Sequence, residues 1–243
     1  MAARFATTQW SQVLAARDAT GTESRQALTQ LCEAYWYPLY AFVRSQGHDP
    51  DEARDLTQAY FAYLLEKKIL EDVDPSAGRF RSFLLATLKH YVANERRKER
   101  TLKRGGGTRT LSLDTKGAES RFGLEPVDRL TPEQLYEHRW ALTVLERAME
   151  RLSAEWADAE KSNQFKHLRP HLTGQEPRIP FREVAAELGM SEVAVRGAMY
   201  RLRQRMGQLL RAEILQTVAN PDEVDDEVRH LLAVIGPWEA HRA

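Results

Sequence analysis

Apolar residues recur at helical spacing along almost the whole chain, and this constrains the fold more than any other feature. Leu31, Tyr35, Leu39 and Phe42 fall on one stripe, and Leu56, Tyr60, Phe61, Leu64 and Leu65 on a second. Phe80, Phe83, Leu84, Leu88, Tyr91 and Val92 make a third. Side chains three and four residues apart share one face of a helix, whereas a half-buried strand alternates at every second residue. No alternating run bounded by turn residues competes with these stripes. The expected fold class is all-α.

The periodicity stops at residues 105–130, "GGGTRTLSLDTKGAESRFGLEPVDRL", where glycine and polar residues surround isolated apolar ones. This reads as a linker. Thr131, Pro132 and Gln134 then restart the helical signal with a capping threonine, proline at the first helical position and a capping-box partner. Leu135, Leu142, Leu145, Met149, Leu152 and Trp156 follow as the apolar stripe of a bundle helix. "GQEPRIP" and "ANPDEVDD" break the chain again. The expected organisation is two helical domains, 10–104 and 131–218, joined by the linker, with a tail over 219–243. In the tail Val224, Val228, Leu231, Leu232 and Ile235 share one face, so a helix there must bury that face against something. The acidic run at 222–227 suits the start of such a helix and could also sit near the arginines of the recognition helix; the tail is expected to pack on the protein either as a partial mask of basic surface or as a structural cap with no regulatory effect.

Residues 181–206, "FREVAAELGMSEVAVRGAMYRLRQRM", space Ala185, Gly189 and Val195 as a helix-turn-helix does. A small residue lets two helices approach, glycine takes the positive φ of the tight turn, and a branched residue seats the second helix on the first. The spacing alone is weak evidence, so charge must support it. Lys plus Arg equals Asp plus Glu at 35 each, and any polyanion site must come from segregation. Residues 89–104 hold Lys89, Arg96, Arg97, Lys98, Arg100, Lys103 and Arg104 against Glu95 and Glu99. The second helix of the candidate motif holds Arg196, Arg201, Arg203, Arg205 and Arg211 against Glu192. Two basic helices, one per domain, point to two contacts with one nucleic acid. Phe80, Phe83 and Tyr91 lie beside the first run and are assigned mainly to the core, with His90 facing polar surroundings.

Other chemistries are poorly supported. Cys32 is the sole cysteine and sits in "LCEAYW", where an inert buried thiol is expected. His167 and His171 have the spacing of a helical metal pair, but "HLRPH" carries proline between them and no following glutamate. "GGGTRT" lacks the Gly-Lys-Ser/Thr of a phosphate loop. No catalytic, metal or cofactor site is expected. No window approaches the length of a membrane span and no leader pattern opens the chain, so a cytoplasmic location is expected.

Together these segments resemble bacterial RNA polymerase sigma factors of the extracytoplasmic-function group. "DEARDLTQAYFAYLLEKK" is similar to the family's polymerase-docking helix, and "GRFRSFLLATLKHYVANERRKER" to the element that opens and reads the minus-ten region. Residues 181–206 are similar to the winged-helix-like domain that reads the minus-thirty-five region. The chain departs from the family pattern at His90 and Asn94, where asparagine and aspartate are common, and at Ala198, where arginine is frequent. The linker and the tail "DEVRHLLAVIG" are similar to a subgroup associated with Ser/Thr kinases. That likeness implies a Ser/Thr kinase rather than a membrane anti-sigma factor, and an anti-sigma factor stays open as the other regulatory partner.

The resemblance assigns roles to named residues. Asp51, Asp55, Gln58, Phe61, Leu64 and Leu65 are expected to face the polymerase, and Lys89, His90, Asn94, Arg96 and Arg97 the minus-ten strand. Ser191 is expected to cap the recognition helix. Glu192, Arg196 and Tyr200 are expected to approach bases or phosphates, and Arg201, Arg203 and Gln204 the backbone. The competing reading is a stand-alone helix-turn-helix regulator that binds DNA without polymerase; it leaves the first basic helix without a role.

Overall fold

A computed structural model describes residues 22–66, 69, 79–101, 117–123, 129–157, 159–173, 179–218 and 220–239; within these helices the side chains of 22–33, 65–66, 99–101, 159–160 and 237–239 lie outside the description. Every regular element among the described residues is helical. By residue contacts the chain divides into two compact units: the described residues up to Thr143 with those from Leu215 onward, and Val144–Ile214.

The first unit opens with α1 (Thr22–Ser45), α2 (Pro50–Glu66) and α3 (Phe80–Thr101). Gly47, at φ 90°, turns the chain after α1 in a conformation that a side chain resists. Asp49 then caps α2, its Oδ1 accepting from the Asp51 and Glu52 amides at 3.0 and 2.9 Å. Tyr35, Leu39 and Phe42 of α1 are buried with Tyr60, Phe61 and Leu64 of α2 and Phe80, Leu84 and Leu88 of α3. The Tyr60 hydroxyl donates to the Leu84 carbonyl at 2.8 Å, which ties α2 to α3. Cys32 falls outside the described side chains.

Residues 118–122 lie inside the stretch expected to be linker, yet they form the short helix α4 (Ala118–Phe122). It is held by side chains more than by its own length. Glu119 accepts from the Tyr40 hydroxyl at 2.7 Å and from Arg44 Nε and Nη2 at 3.0 and 2.6 Å. The Arg44 guanidinium holds the Glu119 carboxyl below its ordinary range and lies 4.6 Å from the Phe122 ring centre.

The helix α5 (Pro132–Glu155) starts with the expected capping box: the Thr131 amide donates to Gln134 Oε1 at 2.9 Å, and the Gln134 amide to Thr131 Oγ1 at 3.2 Å. Its buried face is Leu135, Tyr136, Trp140, Ala141, Val144, Ala148 and Leu152. Leu142, Leu145, Met149 and Trp156 of the expected stripe are only half-buried. The line between the two units falls inside this helix, at Thr143 and Val144.

The tail forms a 3-10 turn (Pro221–Glu223) and α9 (Val224–Glu239). Leu231 and Ile235 are buried, and Leu232 is 57% exposed. Glu227 is wholly buried and pairs with Arg79 and Arg81 at the start of α3. Arg81 also bonds Glu137 through Nε at 2.7 Å and lies 4.4 Å from the Trp140 ring centre. Of the acidic run, Glu227 is thus paired inside the first unit, with Arg79 and the buried Arg81.

In the second unit, α6 (Ala159–Thr173), α7 (Phe181–Leu188) and α8 (Glu192–Leu215) follow the latter half of α5. Phe165, Leu168, Val184, Ala185, Val195, Met199 and Leu202 are buried there. α6 runs through Pro170. His167 bonds Glu187 at 3.0 Å and the Asn163 carbonyl at 2.9 Å, and His171 packs 4.7 Å from Phe181. Both histidines serve packing, and no metal-binding cluster occurs among the described residues.

Candidate nucleic-acid interface

The turn between α7 and α8 is fixed by both of its ends. Gly189 has φ 64°, and the amides of Gly189 and Met190 return to the carbonyls of Ala186 and Ala185 at 3.4 and 2.9 Å. These are the two reversed bonds that close a helix on a left-handed residue. Ser191 Oγ then accepts from the Ala194 amide at 3.2 Å, capping α8. Val184, Ala185 and Val195 are buried at this crossing, so the spacing read from the sequence is a helix-turn-helix in space.

The seating of Val195, Ala198, Met199 and Leu202 forces the opposite face of α8 outward. Ser191, Glu192, Arg196, Tyr200, Arg201, Arg203 and Gln204 are all exposed. Glu192 accepts from Arg196 Nε and Nη2 at 3.0 and 2.6 Å, and the Arg196 guanidinium lies 5.3 Å from the Phe181 ring centre. Val193, at 80% exposure, stands on the same face and was not singled out in the sequence. Its signal was a branched apolar residue two places out of phase with buried Val195. Ala198, where an absent arginine contact was noted, is buried and offers DNA no surface. Arg205 is committed within its own unit, donating to Glu155 at 2.7 and 2.6 Å and holding that carboxyl below its ordinary range.

On α3, Lys89, His90, Asn94, Arg96 and Arg97 are likewise exposed. Lys89 pairs with Glu133 at 2.6 Å and holds that carboxyl below its ordinary range. Arg96 Nη2 lies 2.7 Å from Nε2 of His48, a residue the sequence reading passed over. Phe80 is core, while Phe83 and Tyr91 are half-buried. Tyr91 packs 5.8 Å from Tyr60 and 5.1 Å from Tyr63 between ring centres, and burial pushes its hydroxyl up to about 12.

The residues of α2 expected to face a protein partner separate into two sets. Asp51 and Asp55 are exposed, and Asp51 pairs with Arg54. Gln58, Phe61 and Leu64 are at 6%, 2% and 2% exposure and belong to the core, which withdraws them from the expected surface. Tyr60, Phe61 and Leu64 of the α2 stripe are spent on packing within their own unit. The Leu65 side chain lies outside the described residues.

A model of the ECF sigma factor family matches residues 24–212. The chain belongs to that family. Comparison with curated proteins and with solved structures gives no match. As an ECF sigma factor the chain is a DNA-binding regulator that acts in transcription initiation. Both the basic helix α3 and the helix-turn-helix fall inside the matched span, and α9 falls beyond it. Among the described residues of this sigma factor no helix is long and apolar enough to cross a membrane.

Proposed function

We propose that this ECF sigma factor binds core RNA polymerase and directs both promoter recognition and melting, with α8 on the minus-thirty-five duplex and α3 on the minus-ten strand. The observation that carries the reading is the α8 face, where every side chain expected to reach DNA is exposed while the opposite face is fully seated. Helix-turn-helix proteins place such a face in the major groove, with early residues toward base edges and cations toward phosphates. Lys89, His90, Asn94, Arg96 and Arg97 form the second contact, Asp51 and Asp55 the polar part of the polymerase surface. A domain layout of 10–104, 131–218 and a tail belongs to the same reading, as does a cytoplasmic site of action. An anti-sigma factor or a Ser/Thr kinase is the proposed regulator, supported by the resemblance of linker and tail to the kinase-associated subgroup.

Melting separates this sigma factor from a stand-alone regulator. Extruding a base costs a few kcal/mol, and a template already mismatched at minus ten removes that cost. His90→Ala with Asn94→Ala should therefore impair run-off transcription on duplex promoters more than on premelted ones. Equal defects on both templates would sink the assignment of these residues to strand capture, and tight palindrome binding without polymerase would favour the regulator.

A further inference from the structure

His48 is a histidine at 6% exposure whose two ring nitrogens meet partners of opposite kind. Nδ1 lies 2.7 Å from Glu52 Oε1, and Nε2 lies 2.7 Å from Arg96 Nη2. A guanidinium only donates and a carboxylate only accepts, so the two partners fix the tautomer: Nδ1 carries the hydrogen and Nε2 accepts. The ring is also anchored through its backbone. Arg44 Nη1 donates to the His48 carbonyl at 2.5 Å, Gly47 turns the chain just before it, and Asp49 caps α2 just after it. The ring therefore has little freedom to follow Arg96, whereas an exposed arginine has much to lose in rotamer entropy.

A buried histidine with both nitrogens satisfied is usually no more than a well-paired core residue. Here one partner is an exposed cation on the basic face of α3, beside Arg97 and two residues beyond Asn94. We infer that His48 is a positioning residue: backed by Glu52, it holds the Arg96 guanidinium by one nitrogen and so presents the remaining donors, pre-oriented, to a phosphate of the melted strand. This rests on the proposed role of α3 at minus ten. Five donors in a planar fork allow one to be spent on His48 while others stay available. Fixing the fork before binding lowers the ordering cost that an untethered side chain would meet on contact.

The inference separates charge from orientation. The test uses the full chain and a labelled single-stranded oligothymidylate, with binding followed by anisotropy across a salt series. Arg96→Ala should weaken binding several-fold and reduce the salt slope by about 0.7, the share of one single-strand phosphate contact. His48→Leu should also weaken binding but leave the slope unchanged, because the cation is still present. His48→Gln, whose amide oxygen can accept in place of Nε2, should restore most of the affinity. The double variant His48→Leu with Arg96→Ala should bind as Arg96→Ala alone does, since no fork remains to be oriented. Two kinds of outcome, three results in all, overturn the inference. In one, His48→Leu binds at wild-type strength; in the other, Leu and Gln variants lose affinity equally, or the two losses simply add. If instead Arg96→Ala changes neither affinity nor slope, the minus-ten role of Arg96 is what fails.

Discussion

Arg196 and Arg203 lie two turns apart on α8 with opposite local restraint, which under the proposed function sets how each would meet DNA. Arg196 is held by Glu192 through two nitrogens and lies over the Phe181 ring, so its fork has a direction before DNA arrives. A pre-oriented fork suits bidentate contact with guanine, while a loosely held cation suits a phosphate. Arg196→Ala should cost about 1–3 kcal/mol and relax preference at one base-pair position. Arg203→Ala should weaken all sites alike and lower the salt slope by about 1. Competition between single-base variants of a mapped minus-thirty-five element measures both, and identical sequence-independent losses would show that Arg196 reads no base. Glu192 complicates this face in a useful way. Both bonds from Arg196 end on Oε1, so the pair can persist while Oε2 accepts from a cytosine amine.

Helix α9 is held by its short apolar face and by a fully buried carboxylate, Glu227, on Arg79 just before α3 and Arg81 within it. Glu227→Ala would leave Arg81, at 4% side-chain exposure, with Glu137 as an acid partner. Breaking a buried pair from one side costs roughly 3–5 kcal/mol, and the surviving Glu137 contact puts the expected loss near the lower end. Thermal unfolding and protease cleavage after α9 should both report it; unchanged melting with a protected tail would mean the pair contributes nothing. A helix over 219–243 was legible because Val224, Val228, Leu231 and Ile235 repeat at helical spacing. Its partner was not, since charge composition says which acids are in excess and not which arginine is desolvated. The same limit explains α5. Leucine and methionine mark a stripe in sequence, yet Ala141 and Ala148 are buried, and the true face is rotated toward Tyr136 and Trp140. Helix α4 escaped altogether because its stability comes from Tyr40 and Arg44, some 75 to 79 residues away. Local signals such as the Thr131 capping box, the Gly189 turn and the Ser191 cap were legible, because each is satisfied by neighbours in sequence.

The whole chain has no net charge, so the proposed DNA contacts depend on how acids and bases are sorted: Arg205 and Arg81 are paired internally, and the α8 face and α3 from Lys89 onward keep their cations outward. Sorting also separates the two roles of α2, which fold and partner compete for. Phe61 and Leu64 are core, so a polymerase surface on this helix must be built from its polar side. Phe61→Ala should therefore act through stability, at roughly 3–5 kcal/mol for a buried phenyl group, and any loss of transcription should follow the melting temperature. Charge reversal at Asp51 and Asp55, both exposed, should do the opposite. Surface substitutions of this kind usually stay within about 0.5 kcal/mol in stability, while like-charge juxtaposition at an interface costs several kcal/mol. The double variant Asp51→Lys with Asp55→Lys should fold as the wild type does and still bind single-stranded oligothymidylate. It should fail to form a complex with core polymerase in co-elution, and promoter-directed run-off transcription should fall with it. Normal complex formation by that variant would remove the polar face of α2 from the polymerase contact. Since Phe61 and Leu64 are already buried, the docking surface would then have to be built from other residues.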